Sequence, residues 1–507
     1  IQTGLGNVFS STPLAILQPR TAVAWQFETK TVLRAGFGIF SDILPGTVAD
    51  VVGFNPPYVK TFQGGLNGTV GGAAIAPGLP NSAVDATVAA NQAFSSGFQQ
   101  GQLSCASARA NLATCLPPVA IAAVPDGKLH APYFMEWSLG FERQLGAAGS
   151  IHLQYVGTRA VNQPYMTQVN GYQTVCPGCF APFPYVRPTD PPDPRRTGAI
   201  DPRFGAVTQL STGANSHYNG LQMTAMKRLG NGFMGQLNYT WSRCMDTVSN
   251  GGFLQFSAGA ILSPLPGNLA RDYGPCDYDI RHNLNAQYVY QLPIRVRSRT
   301  LGYVLNGWQV SGTVFWHSGV PFSVLSSPYS AKGNGIVNGS RPQFASVVPG
   351  VPLYEHNPIP GITQPGRGVQ WLNPDAFVST VDPSTGACVG GDSPKNCQFG
   401  TLGRNALRGP NFAWSDFYLT KSFPLTEQLK LRFDTQFFNV FNHPNFALPS
   451  NVFAGVPGDV CADGTRCTQI GFGAITSTTS PPTGLLGVGL GGDSTPRMIA
   501  FQARLEF

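Results

Sequence analysis

The chain has 507 residues, 11% of them charged and 42% hydrophobic, with 60 Gly, 43 Pro and a formal net charge of +7. The charge is scattered, without a basic stripe interleaved with aromatic residues, which excludes a nucleic-acid-binding protein. No run of roughly 18 apolar residues exists, so transmembrane helices are excluded and a membrane protein is admissible only as a β-barrel.

Alternation of apolar and polar residues recurs along the chain. It predicts eleven strands, at about 20–28, 31–40, 133–145, 150–158, 217–229, 233–243, 282–292, 307–317, 414–423, 429–441 and 497–507. In the third, Tyr133, Met135, Trp137, Leu139 and Phe141 oppose Glu136, Ser138, Glu142 and Gln144. In the fourth, Ile151, Leu153 and Tyr155 oppose His152 and Gln154. In the sixth, Phe233, Leu237, Tyr239 and Trp241 oppose Gln236, Asn238, Thr240 and Ser242. The seventh sets Leu284, Ala286, Tyr288 and Tyr290 against Asn283, Asn285, Gln287 and Gln291. The eighth sets Trp308, Val310, Val314 and Trp316 against Gln309, Ser311, Thr313 and His317. In the tenth, Leu431, Phe433 and Phe437 oppose Lys430, Arg432, Asp434 and Gln436. A transmembrane barrel needs one apolar face for lipid and one polar face for its lumen. Glu136, Glu142, Gln236, Asn238, Asn285, Gln309, Lys430, Arg432 and Asp434 are therefore expected to face the lumen.

The connections alternate in length. Short turns are expected at Thr29-Lys30, Gly146 to Gly149, Gly230-Asn231-Gly232, Pro293 to Asn306 and Pro424 to Gln428. Long loops rich in Gly, Pro and Ser are expected at about 41–132, 159–216, 244–281, 318–413 and 442–496. This is the pattern of outer-membrane barrels, with short periplasmic turns and long extracellular loops. By parity the last strand ends in the periplasm and the first also runs toward it. Residues 1–19 are then the end of an extracellular loop and 20–507 the barrel part. The chain starts at Ile1 with no visible signal peptide, so a fragment of a longer outer-membrane protein is expected.

The last strand carries the strongest single signal. Ile499, Phe501, Ala503, Leu505 and Phe507 share one side, and the chain stops on an aromatic residue. An apolar edge strand is a liability for a soluble protein and a requirement for a membrane barrel. Phe501, Leu505 and Phe507 look like the insertion signal of bacterial outer-membrane proteins.

Ten cysteines fall into five local pairs: Cys105 with Cys115, Cys176 with Cys179, Cys244 with Cys276, Cys388 with Cys397, and Cys461 with Cys467. Each pair lies within one long loop, as expected of disulfides in an oxidising compartment. Cys176 and Cys179 also admit a half zinc site or a redox pair, although no further ligands and no βαβ pattern surround them. Asp272, Asp277 and Asp279 admit either calcium or a strand-end turn paired with Arg271 or Arg281. The seven histidines are scattered, and neither a GxSxG elbow nor a P-loop occurs. No catalytic residue, metal ligand or cofactor is expected.

Several segments resemble one family in their order. They are Thr31-Val-Leu-Arg-Ala-Gly-Phe-Gly-Ile-Phe40, Trp137-Ser-Leu-Gly-Phe-Glu-Arg-Gln144, Tyr218-Asn-Gly-Leu-Gln222, Tyr239-Thr-Trp-Ser242, Asp279-Ile-Arg-His282, Gly307-Trp-Gln-Val-Ser-Gly312 and Phe437-Phe-Asn-Val-Phe-Asn-His-Pro-Asn-Phe446. With the terminal strand, they resemble the Oar-like TonB-dependent outer-membrane transporters of acidobacteria and their relatives. The resemblance implies an all-β antiparallel transmembrane barrel. This chain would be about strands 12 to 22 of a barrel of roughly 22 strands, whose wide lumen is plugged. It implies a plug domain elsewhere in the protein, energised uptake of an unidentified extracellular ligand through TonB, and insertion by the barrel-assembly machinery. A loop-rich adhesin or a passive porin remains the alternative. Loop aromatics Tyr172, Phe180, Phe183, Tyr185 and Tyr354 are candidates for ligand contact or for packing of the loops on one another. Trp137, Tyr239, Trp241, Trp308 and Trp316 read as an interfacial girdle rather than a sugar platform. Deleting Phe507 from the full-length protein should lower its surface level, as measured by labelling of intact cells; unchanged labelling would remove the insertion-signal role.

Overall fold

A computed structural model describes residues 17–42, 130–168, 204–249, 269–326, 343–358, 368–378, 401–453, 471–479 and 496–507, except 427 and 476, together with short strand pieces between them. Eleven strands form one antiparallel path in chain order within a larger sheet. They are β1 (Arg20–Glu28), β2 (Thr31–Ser41), β3 (Tyr133–Leu145), β4 (Gly149–Gln168), β5 (Phe204–Gly230), β6 (Phe233–Asp246), β7 (His282–Gln291), β8 (Trp308–His317), β9 (Phe412–Pro424), β10 (Lys430–Phe438) and β11 (Met498–Glu506). β1 and β11 are the two edges of the sheet. Every residue of β1 is exposed.

Cross-strand partners share a face, so the register tests the expected sides. Glu142 pairs with His152, His152 with Thr224, Thr224 with Asn238, and Asn238 with Asn285. Farther along, Gln291 pairs with Gln309, Gln309 with Thr420, and Thr420 with Asp434. The residues expected to face the lumen therefore lie on one continuous face. Opposite, Leu139 pairs with Tyr155, Tyr155 with Leu221, and Leu221 with Trp241. Leu237 pairs with Ala286 and Ala286 with Val314 on the same apolar face. Trp137 lies across its partner Gly157, where any side chain would collide with the indole. Trp308 and Trp316 lie eight residues apart on the apolar face, roughly 27 Å of extended strand. At the usual strand tilt of about 40° that is roughly 20 Å along the membrane normal, most of the height of a lipid-facing band of about 25 Å.

The short turns follow from local chemistry. Asn231 and Gly232 both take positive φ, 54° and 78°, which is the two-residue hairpin turn that matches strand twist. The β7–β8 connection is not a simple turn: it contains the helix α1, Arg299–Leu305.

Four strand boundaries differ from the sequence pattern by three residues or more. β4 and β5 continue pairing from Ser216–Ala160 to Thr208–Gln168, so much of the expected 159–216 loop is sheet. The alternation is hidden there by register shifts around Ala214 and by Asn162 and Pro164, which read as turn residues. In contrast, β10 stops at Phe438 rather than 441 because Asn439 and Asn442 adopt φ of 48° and 52°. Asn439 closes this bend: its amide donates to Asp416 Oδ1 at 3.0 Å, and its side chain bonds both the His443 amide and carbonyl. Cys244 sits within β6, two residues before its end, not in the loop beyond it.

The hydrophobic core lies outside the wall. Phe322, Val324, Phe344, Leu372, Phe377 and Leu407 from the β8–β9 connection pack with Phe453 and Phe472 from the β10–β11 connection. Small strands knit the two connections together: Leu325 pairs with Val452, and Val369 with Ile475. The expected loops 318–413 and 442–496 thus contain a folded cap. Short apolar runs split by Gly and Pro gave no periodicity by which to read it.

Leu237→Arg should destabilise the barrel by roughly 2–4 kcal/mol, whereas Asn238→Arg should be milder. Denaturant unfolding in lipid measures the difference, and equal effects would reverse the assignment of faces.

Candidate functional site

The candidate site is the polar face of the wall and the cap at its loop end. On the polar face, Asn238 Oδ1 accepts from Thr224 Oγ1 and Gln236 Nε2, both at 3.1 Å. Gln287 Nε2 reaches Gln236 Oε1 at 3.5 Å. Glu142 faces Arg34 at 3.7 Å, an exposed pair of small energetic weight. Arg432 Nε donates to both oxygens of Asp434 at 3.0 Å, and its Nη1 lies 3.7 Å from Glu506. Thr420 Oγ1 completes the shell of the buried Asp434. Glu136, Asn285 and Lys430 are exposed, and Gln309 is half-buried. A concavity of about 360 Å³ lies beside this row, lined by residues that include Met226, Gln236, Gln287, Ser311, Thr313 and Tyr418.

Nearer the cap the same face turns aromatic. Phe315, His317 and Phe412 form a cluster, with the His317 and Phe412 rings stacked at 5.2 Å. Alternation puts His317 among the polar residues, but it says nothing of Phe412 and hides Phe315 on a polar side. The signal was present in parity: Phe315 lies an even number of residues from Gln309 and Thr313.

A buried ionic latch joins the cap to the wall. Arg404 is only 4% exposed and forms an ion pair with Asp246, at the end of β6. It also donates to the Asp246 carbonyl at 2.7 Å, Asp272 carbonyl at 2.8 Å and Ser249 Oγ at 2.9 Å. Asp277 pairs with the same guanidinium at 3.3 Å. Nearby, Arg408 pairs with Asp279, whose other oxygen accepts the Cys244 amide at 2.6 Å. Cys244 and Cys276 are disulfide-bonded, with Cα atoms 5.4 Å apart. For Asp272, Asp277 and Asp279 the sequence offers Arg271 or Arg281 as turn partners. Arg281 does approach Asp279, at 3.8 Å, but the dominant cations are Arg404 and Arg408, over 120 positions away in sequence. The other four cysteine pairs lie outside the described residues.

Tyr354 is placed in packing within the cap. Its hydroxyl accepts the Arg408 amide at 2.9 Å, and its ring stacks on His356 at 5.7 Å and meets Trp371 edge-on. Burial pushes the Tyr354 hydroxyl up from its ordinary pKa. Tyr172 and Phe180 lie on two paired short strands, Tyr172–Thr174 and Phe180–Ala181. Phe183 and Tyr185 lie outside the described residues. Phe501 stacks on Phe433 at 6.1 Å on the apolar face, while Leu505 and Phe507 are exposed at the β11 edge.

The chain matches the outer membrane beta barrel domain family over residues 2–486. It belongs to that family. Its location is accordingly the bacterial outer membrane, and in such barrels the apolar face meets lipid. No curated protein matches the chain. Among solved structures it is similar to the outer membrane transporter YddB from Escherichia coli, at 8% identity and a TM-score of 0.38. That match covers 96% of this chain and 40% of the transporter. A variant of the ferric enterobactin receptor from Pseudomonas aeruginosa matches at 12% identity and a TM-score of 0.36, with 96% and 40% covered. The ferripyoverdine receptor of the outer membrane of the same organism matches at 10% identity and a TM-score of 0.36, with 96% and 32% covered. The chain thus spans 40% or less of the length of these proteins.

Arg404→Ala should cost the cap about 3–5 kcal/mol, because it strands a buried carboxylate. The Arg404→Met, Asp246→Leu double variant should recover most of that loss. Hydrogen exchange at the Leu402 and Leu407 amides measures both, and equal protection in all three proteins would show that the latch carries no stability.

Proposed function

We propose that this chain is the wall and outer vestibule of a TonB-dependent outer-membrane transporter of the Oar-like kind, taking up an extracellular ligand by energised transport. The observation that carries the reading is the continuous polar face, which runs across the sheet from β3 to β10 beneath a folded cap. Polar side chains in lipid are expensive, so this face belongs against water and protein. Glu136, Glu142, Gln236, Asn238, Asn285, Gln309, Lys430, Arg432 and Asp434 line the lumen and meet a plug supplied by the same protein. Of these nine, Arg432 and Asp434 already neutralise one another and Glu142 faces Arg34, which leaves Glu136 and Lys430 among them, with the exposed Arg504 on the same face, as charges open to a plug. The wall works by shape, polarity and access, without a chemical step of its own.

The loops set ligand choice. With Tyr354 engaged in the cap, ligand contact falls to Tyr172, Phe180, Phe183 and Tyr185 of the β4–β5 connection. The interfacial girdle is Trp137, Tyr239, Trp241, Trp308 and Trp316, and Phe501, Leu505 and Phe507 are read by the assembly machinery.

Two measurements test this. Sequencing the coding DNA upstream of Ile1 should find a plug domain with a TonB box. In planar bilayers the full-length protein should pass no steady current, and removal of its plug should open a large channel. Steady conductance of the full-length protein would favour the passive porin and overturn energised uptake.

A further inference from the structure

The β7–β8 connection has a composition unlike the other turns. It reads Pro293-Ile-Arg-Val-Arg-Ser-Arg-Thr-Leu-Gly-Tyr-Val-Leu-Asn-Gly307, alternating basic and apolar before the helix α1. Leu301 is 57% exposed and Val304 55%, with Ile294, Tyr303 and Leu305 also open. Arg295 and Arg297 are exposed, and neither has an ion pair among the described residues.

The connection is built, not slack. Asn306 closes its base: its Oδ1 accepts the Val296 amide at 2.7 Å and its Nδ2 donates to the Val296 carbonyl at 3.1 Å. The helix leans on the apolar face of the wall. Trp308 Nε1 donates to the Val304 carbonyl at 2.9 Å, and the Tyr303 ring packs on Phe423 at 5.4 Å. Trp308 pairs with Lys421, which also pairs with Phe433, so all three belong to that face. Lys421 is tied down by the carbonyls of Asn306 and Ser422, at 2.6 and 3.0 Å, and lies over the Phe423 ring at 4.3 Å. The exposed leucines and valine therefore continue the lipid-facing band past its rim, with arginines beside them.

We propose that this connection is a docking site for anionic phospholipid in the periplasmic leaflet. Leu301, Val304 and Leu305 enter the acyl layer, and Arg295 and Arg297 hold the phosphodiester. Two features choose this occupant over a soluble partner. The apolar surface is continuous with the membrane-facing wall, and the positive charge beside it is the complement of an anionic headgroup. The proposal rests on short turns facing the periplasm and not on transport, so it survives if the barrel proves passive.

The test uses full-length protein in nanodiscs whose phosphatidylglycerol or phosphatidylcholine carries brominated acyl chains. Trp308 emission is isolated as the difference from Trp308→Phe. Phosphatidylglycerol should outcompete phosphatidylcholine at Trp308 by roughly fivefold per arginine. The preference should fall to about unity in Arg295→Ala, Arg297→Ala. High salt should erase it in the unaltered protein, which guards against misassembly of the variant. Equal quenching by the two lipids, no quenching by either, or a preference that survives both treatments would overturn the proposal.

Discussion

Inside a bilayer no water is available to satisfy a backbone amide, so every strand must find its hydrogen bonds in a neighbour. That requirement holds this molecule together. The unbroken antiparallel path from β1 to β11 supplies the partners, strand by strand, and fixes one register. The register then decides everything chemical. A slip by one residue would send Asn238 and Asp434 to lipid and Leu237 and Phe433 to the polar side. Short hairpins such as Asn231-Gly232 hold the register at one end, and the disulfide at Cys244 and the Arg404 latch hold it at the other.

Hydrophobicity is inverted between the two parts. The wall keeps its apolar side chains outside, where Trp241, Leu237 and Phe501 remain exposed. The cap keeps them inside, where Leu372, Phe377, Phe453 and Ile475 are fully buried. The cap follows the rules of a small water-soluble protein, including the cost of its buried charges. Arg404 meets that cost with six carbonyl, hydroxyl and carboxylate partners gathered from Asp246, Ser249, Asp272, Gly274 and Asp277.

What was legible in the sequence follows this division. Wall strands alternate because each faces two different media, and period two is visible in a single chain. Hence β3, β7 and β8 are placed to within one residue and β6 to within three, and their cross-strand partners mostly pair polar with polar and apolar with apolar. Beyond the bilayer both faces of β4 and β5 meet similar surroundings, so nothing enforces alternation and their outer halves go unread. The cap is worse still, because its strands are two to five residues long and its pairings are distant. Local spacing found the Cys244–Cys276 bridge. No local rule connects Asp246 to Arg404, 158 residues later. The aromatic candidates divide the same way: Trp137 and Trp316 were assigned by parity, while the packing of Tyr354 needed coordinates.

The knitting of Leu325 to Val452 has a temporal consequence. Phe322 and Phe377 are translated before β9, whereas Phe453 and Phe472 come after β10. The cap's interior therefore cannot close until the β8–β9 and β10–β11 connections stand together on the same side of the wall. Until then its phenylalanines have no partners and its latch has nothing to seal. Cap closure thus requires the β9–β10 hairpin to be in place between the two connections, and a protease-resistant cap would report that this hairpin has been completed beneath it.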